Sequence, residues 1–249
     1  MRTTGHRAVG LALVVATVLA TWRVTPVAAA TTTIFSNSFD SQSTGALVTG
    51  TDANQFSGTA GASNLSVENT LAASAPNALS VTLNAAGFAY AYKQYSNAYT
   101  NHNLAFSLQL GADFTVPISD YLVLAQTVPI TSSSPITSSR VGKVDVILPA
   151  DRRIRLDYTD SAGQQHFLFG SFVVPTGAWH TVALSETVGA GSGSLALLVD
   201  GTTVASGSNL DLGTQGVTWF AVGERFSPPG SSTAAGHLYI DDVTTTSTV

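Results

Sequence analysis

Hydrophobic and polar positions alternate in short runs along most of the chain. No stretch beyond residue 30 sustains a helical repeat of apolar positions. Runs rich in Val, Ile, Leu, Phe and Tyr recur instead, each closed by Gly, Ser, Asn, Asp or Pro. They predict strands over Ala78–Leu83, Phe88–Tyr95, Leu104–Leu110, Tyr121–Val128, Lys143–Leu148 and Arg153–Tyr158. Further strands are predicted over His166–Val174, Trp179–Ser185, Ser194–Val199, Thr202–Ala205, Val217–Val222 and His237–Thr244. Many short strands at this spacing imply an all-β protein built as an antiparallel two-sheet β-sandwich.

The joints carry turn chemistry. Asp200-Gly201 sits between "SLALLV" and "TTVA", and Asp-Gly accepts the positive φ angles of a tight hairpin turn. "TDSAGQ" (Thr159–Gln164) joins "RIRLDY" to "QHFLFG", which predicts a second hairpin. "TVPITSSSPITSS" (Thr127–Ser139) is polar and broken by proline, and predicts a long exposed loop inside one domain. "VGAGSGS" (Val188–Ser194) is expected to be a flexible connection.

The first thirty residues read differently. Arg2, His6 and Arg7 precede an apolar run, Ala8 to Ala20, and Ala28 to Ala30 offer a small-residue cleavage site. This is the pattern of a secretory signal peptide, so a secreted protein is expected, with one domain over residues 31–249. The run is shorter than the ~20 residues a bilayer span needs, so no membrane span is expected. Loss of Arg2, Arg7 and Arg23 leaves seven basic against fifteen acidic residues, a net charge of −8. Such a surface would leave the phosphates of nucleic acid and anionic lipid unneutralised, so no nucleic-acid partner is expected. With no cysteine, stability has to come from the core or a bound metal, and thiol chemistry is excluded. A monomer is expected.

Longer patterns resemble a known superfamily. "GAWHTVAL" (Gly177–Leu184) followed by "GSLALLVDGTTVA" (Gly193–Ala205) is similar to the paired strands of laminin G-like and concanavalin A-like jelly-roll modules. "IFSNSFDSQSTG" (Ile34–Gly45) resembles their opening strand, and "GHLYIDDVTT" (Gly236–Thr245) their closing strand. The resemblance implies a concanavalin A-like jelly roll in which the first and last strands lie side by side. It implies a structural calcium ion where they meet, with Asp40, Asp241 and Asp242 as oxygen ligands. The superfamily holds lectins, glucanases, polysaccharide lyases and adhesion modules, so fold alone selects no activity.

Candidate chemistry follows from single residues. His180 and Ser185 lie ~17 Å apart along one strand on opposite faces, which excludes a nucleophile–base pair. Trp179-His180 is therefore strand grammar, with His180 expected to be held by a local hydrogen bond. The glutamates are Glu68, Glu186 and Glu224, and none fits the Glu-x-Asp pattern that the resemblance to jelly-roll glucanases would require. Aspartates from separate strands remain, Asp145 with Asp157 for example, though no spacing in the sequence supports that pair.

The resemblance to alginate-type lyases would place Arg153, Arg155 and Tyr158 on one strand and Gln164 and His166 on the next, and a hairpin of the two would bring Arg155 near His166. Their Arg-x-Glu-x-Arg and Tyr-x-Lys-x-Gly strands are missing. Near Gly87, Phe88, Tyr90 and Tyr92 alternate with Ala89 and Ala91, which puts the aromatics on one face. Phe88 is the ring expected in the core, and Tyr90 and Tyr92 those expected to meet a sugar. The leading expectation is a non-catalytic module for glycan binding or adhesion, with Tyr90, Tyr92, Arg155, Tyr158 and His166 as ligand contacts. The alternatives are a polysaccharide lyase or glycoside hydrolase, and a structural domain without a small ligand.

Overall fold

The computed structural model describes residues 30–83, 88–118, 120–129, 142–226 and 234–248. The apolar run expected to direct export, and most of the loop expected over Thr127–Ser139, lie outside the described residues. Among the described residues fifteen strands follow one another: β1 (Thr31–Asn37), β2 (Gly58–Ala60), β3 (Leu65–Glu68), β4 (Ala78–Leu83), β5 (Ala89–Tyr99), β6 (Asn101–Leu110), β7 (Tyr121–Val128), β8 (Val144–Pro149), β9 (Arg155–Thr159), β10 (Gln165–Leu168), β11 (Trp179–Thr187), β12 (Gly193–Val199), β13 (Thr202–Leu210), β14 (Val217–Phe226) and β15 (Gly236–Thr248). A single 3-10 turn, Ala62–Asn64, is the helical element among the described residues. No helix among them is long and apolar enough to cross a membrane.

The strands form two antiparallel sheets. The first has the order β13-β12-β11-β6-β15-β4-β3, with β1 also paired to β15; the second has the order β10-β9-β8-β7-β14-β5-β2. The expected jelly-roll sandwich is therefore present, with the first and last strands side by side: Asn37 pairs with Val243 and Thr31 with Thr248. β15 is long enough to serve β4 with its first half and β1 with its second, while β6 runs along its other edge.

Alternation builds the core. His102, Leu104 and Phe106 of β6 are buried while their sequence neighbours are only half-buried, as a strand with one face inward requires. From the second sheet, Ala89, Ala91, Phe220 and Val222 face them in the same apolar core. Phe35 packs edge-on against Phe56 and Phe220, with ring centroids 5.0 and 5.3 Å apart, a favoured aromatic geometry.

The two expected hairpins form. Asp200 and Gly201 take φ values of 50° and 76°, the paired positive angles that an Asp-Gly turn permits. Asp200 also binds back: its Oδ2 lies 2.7 Å from His180 Nδ1, and its Oδ1 accepts the Thr181 N–H. His180 is thus held locally, as its place in the strand requires.

Candidate active site

Opposite strands bring outward-facing side chains of the second sheet into rows. Tyr92, Ala221, Gln126, Asp145, Asp157 and Phe167 are successive register partners from β5 to β10. Each pair lies on a common face, because directly opposed residues of antiparallel strands point the same way. Asp145 and Asp157 are thereby set opposite each other, with Cβ atoms about 5 Å apart by this geometry.

These groups form a nearly closed polar network. Gln126 Nε2 donates to Asp145 Oδ1 (2.6 Å), and Arg225 Nε donates to Gln126 Oε1 (3.1 Å). Lys143 Nζ lies 2.8 Å from Asp145 Oδ2. Arg155 grips Asp157 with two donors, Nε at 2.9 Å and Nη2 at 3.1 Å. Asp145, Asp157, Lys143 and Arg225 are all buried, and buried charge survives only when paired in this way. Burial raises the Asp157 carboxyl above the usual range, although Arg155 pulls it down.

The network supports a cleft. An open cavity of about 530 Å³ lies at one end of this face, lined by Val116, Ile118, Asp120, Tyr121, Asp151 and Arg155 among others. Arg155 belongs to both the cleft wall and the network. Burial holds the Tyr121 phenol in its protonated form, and the nearby Asp145 and Asp157 charges reinforce that. The cleft thus presents a cation fixed by a bidentate carboxylate, a protonated phenol, and two carboxylates on its walls.

The expected sugar contacts are distributed differently. Tyr90 and Tyr92 do share the outer face of the second sheet. Tyr90, however, is only 2% exposed: its ring meets Trp219 edge-on at 6.3 Å, and the Arg225 guanidinium lies 4.9 Å from its centre. Tyr92 is half-buried and stacked on Trp219 at 5.7 Å. The expected core ring, Phe88, is the exposed one, at 45%.

The Arg155–His166 pairing needs correction. β9 and β10 form the expected hairpin, but its register sets His166 opposite Tyr158. Tyr158 joins the inner core, with His166 stacked on it at 4.9 Å and bound to Asp160. Arg155 is three residues from Tyr158 and so faces the other way. Of the expected set Arg155, Tyr158 and His166, only Arg155 reaches the cleft. Gln164 ends the turn, where its backbone N–H donates to Asp160.

Of the three acidic residues expected to hold calcium, Asp241 and Asp242 meet at Ser74. Asp241 Oδ2 accepts the backbone N–H groups of Ala73 and Ser74, and Asp242 Oδ1 accepts the Ser74 hydroxyl. Asp40 accepts the Asn77 N–H instead. All three tie down the segment from Ala73 to Asn77. Among the described residues no three acidic, His or Cys side chains are grouped to hold a metal ion.

Tyr121, Lys143, Arg225 and Gln126 carried no motif in the sequence. The one signal for the network is parity: Lys143 and Asp145 in "KVD", and Arg155 and Asp157 in "RLD", share the phase of an outer face.

No protein-family model matches this chain, and neither does any curated protein sequence. Solved structures do. A fungal endo-β-1,4-glucuronan lyase from Trichoderma reesei aligns with a TM-score of 0.58 at 14% identity, over 83% of this chain and 95% of that one. An endo-1,3-β-glucanase from Streptomyces sioyaensis aligns at 0.55 and 14% identity, over 89% and 98%. Alginate lyase Aly36B aligns at 0.53 and 15% identity, over 85% and 95%. All three are by name polysaccharide-cleaving enzymes, which corrects the expectation of a non-catalytic module. What this chain shares with them is the concanavalin A-like jelly-roll fold.

Proposed function

We propose that the chain is a polysaccharide-cleaving enzyme that acts by β-elimination on a uronate-bearing polymer, with its site in the cleft between Tyr121 and Arg155. One observation carries this reading: a guanidinium fixed by Asp157 and a protonated phenol line the same cleft. Elimination requires a cation or amide donor on the uronate carboxylate, which makes the neighbouring C–H more acidic, and a proton donor at the departing glycosidic oxygen. Arg155 has five N–H donors, of which two are given to Asp157. It suits the first role and Tyr121 the second. Asp120 and Asp151 supply carboxylates on the walls for the abstracted proton. The folds it resembles include a glucuronan lyase and an alginate lyase, which supports the reading without assigning the polymer. The amino-terminal run makes export part of the proposal, with the mature chain beginning near Thr31.

A second reading rests on the opposed Asp145 and Asp157. Two carboxylates on facing strands are the equipment of glycoside hydrolysis, and one matching fold is a glucanase. One assay separates the two. Purified protein is incubated with alginate, glucuronan, pectate and neutral β-glucans, and both reducing ends and the ultraviolet absorbance of unsaturated ends are followed. Elimination gives both signals from a uronate polymer. Hydrolysis gives reducing ends alone, and neither signal on any polymer sinks the proposal.

A further inference from the structure

β10 is the outer edge of the second sheet. It leads into two large apolar side chains left in solvent, Phe167 at 48% and Phe169 at 74% exposure. Their rings are 6.3 Å apart and tilted by 35°. Neither belongs to the hydrophobic core, whereas Leu168 between them packs inward against it. Exposed apolar side chains on a sheet edge invite unwanted association and add little to stability.

A side chain from the cleft orders the pair. The Arg155 guanidinium lies 5.3 Å from the Phe167 ring centre and 5.8 Å from that of Phe169, while Asp157 holds its other side. Phe167 is the register partner of Asp157, so the rings stand on the face that carries the network. Arg155 is at once the support of the rings and a wall of the cleft. On the cleft wall, Ile118 is 99% exposed, so apolar surface borders the cavity as well as the edge strand.

We infer that Phe167 and Phe169 form a sugar-stacking platform that carries the polysaccharide chain beyond the cleft. The inference rests on the function proposed above and adds a subsite to it. Sugar rings present C–H faces that pack on aromatic rings, and the two tilted rings offer a stepped surface for successive residues of one chain. The platform favours long polymers over short oligosaccharides, because only a chain longer than the cleft reaches both.

The test uses the full chain and the double variant Phe167→Ala/Phe169→Ala. Mobility in native gels containing each polymer reports binding without catalysis, and KM is measured against substrates of increasing length. The platform predicts that the wild type is retarded by a polysaccharide and the variant much less. It also predicts that KM for the longest polymer rises about tenfold, with the effect shrinking as the substrate shortens. Equal retardation, or an equal KM at every length, overturns it. So does a wild type that no polymer retards. A wild type that cleaves while the variant behaves identically removes the platform and leaves the enzyme. A wild type that cleaves nothing but loses retardation in the variant removes the enzyme and leaves the platform. Melting temperatures confirm folding, and if the double variant fails to fold, Phe169→Ala carries the same comparison.

Discussion

The outer faces of the two sheets differ in kind. On the first sheet the outward positions of β6 and β11 are Asn101, Asn103, Ala105, Ser107 and Gln109 beside Thr181, Ala183, Ser185 and Thr187, with no charge among them. The second sheet gathers Lys143, Asp145, Arg155, Asp157 and Arg225 with Gln126, Tyr90, Tyr92 and Trp219. A chain that is only 10% charged has placed five charges on a few strands and buried most of them. Sandwich stability does not require this, since buried ion pairs are often no better than apolar packing. The difference teaches that the second face around Asp145 and Asp157 is built to hold charged side chains in position, whereas the rows of β6 and β11 present uncharged polar groups and the first sheet keeps the buried carboxylate of Asp241 for the Ala73–Ser74 backbone.

Breaking that network gives the largest expected effect. Asp145 receives both Lys143 and Gln126, so Asp145→Ala leaves a buried ammonium and an amide without their acceptor. A loss of about 3 to 5 kcal/mol is expected in urea unfolding. A loss below about 1 kcal/mol would mean that the network is solvated and the contrast between the faces is superficial. Next comes Tyr121→Phe, which keeps the ring and removes the proton. It should lower turnover at least about a hundredfold, with the melting temperature little changed. Equal turnover would remove Tyr121 from the chemistry.

A third prediction contrasts the outer network with polar groups inside the sandwich. Glu186 and His102 face each other on β11 and β6 within the core. Both are fully covered, yet among the described residues neither has an oppositely charged partner in an ion pair: Glu186 accepts the Thr127 hydroxyl at 2.7 Å, and His102 Nε2 meets the Tyr95 hydroxyl at 3.0 Å. Burial pushes the Glu186 carboxyl up to about 7 and holds the His102 imidazole down to about 3. Glu186 keeps its proton on folding between its ordinary value of 4.5 and about 7, so its contribution to stability falls as pH rises through that window. His102 refuses a proton on folding between about 3 and its ordinary 6.5, so its contribution rises with pH there. The slopes oppose each other where the windows overlap. Glu186→Gln removes one of them. Relative to wild type, the variant should gain about 3 kcal/mol between pH 4.5 and pH 8. A difference that stays constant with pH would show that Glu186 is not the titrating group.

Strands were legible in the sequence where an apolar run is closed by turn residues on both sides. β4 and β7 begin and end where the hydrophobic pattern predicts. β13 runs on to Leu210 through Ser, Gly and Asn residues that carry no pattern. β2 and β3, three and four residues long, fall below what periodicity can resolve. The site was less legible, because it depends on register between strands distant in sequence. Asp145 meets Asp157 through β8–β9 pairing, and Gln126 joins them only after a bulge between Val123 and Ala125. No local spacing encodes a bulge. Arg155 and His166 failed to meet for a related reason: the Asp160–Gln164 turn fixes a register that places them on opposite faces.

The smallest expected effect checks the comparison from the plain side. Ser185 lies on the outer face of the first sheet, between Asn103 and Ala196, and is half-buried. Its hydroxyl takes no part in the network or the cleft. Ser185→Ala should change stability by less than about 0.5 kcal/mol and leave cleavage of every polymer unaltered. A serine followed by a glutamate invites a catalytic reading, and this variant tests it, because Glu186 points into the core on the opposite side of the strand. If Ser185→Ala lowered turnover as much as Tyr121→Phe, the working face would be the first sheet. The charges on the second would then be structural.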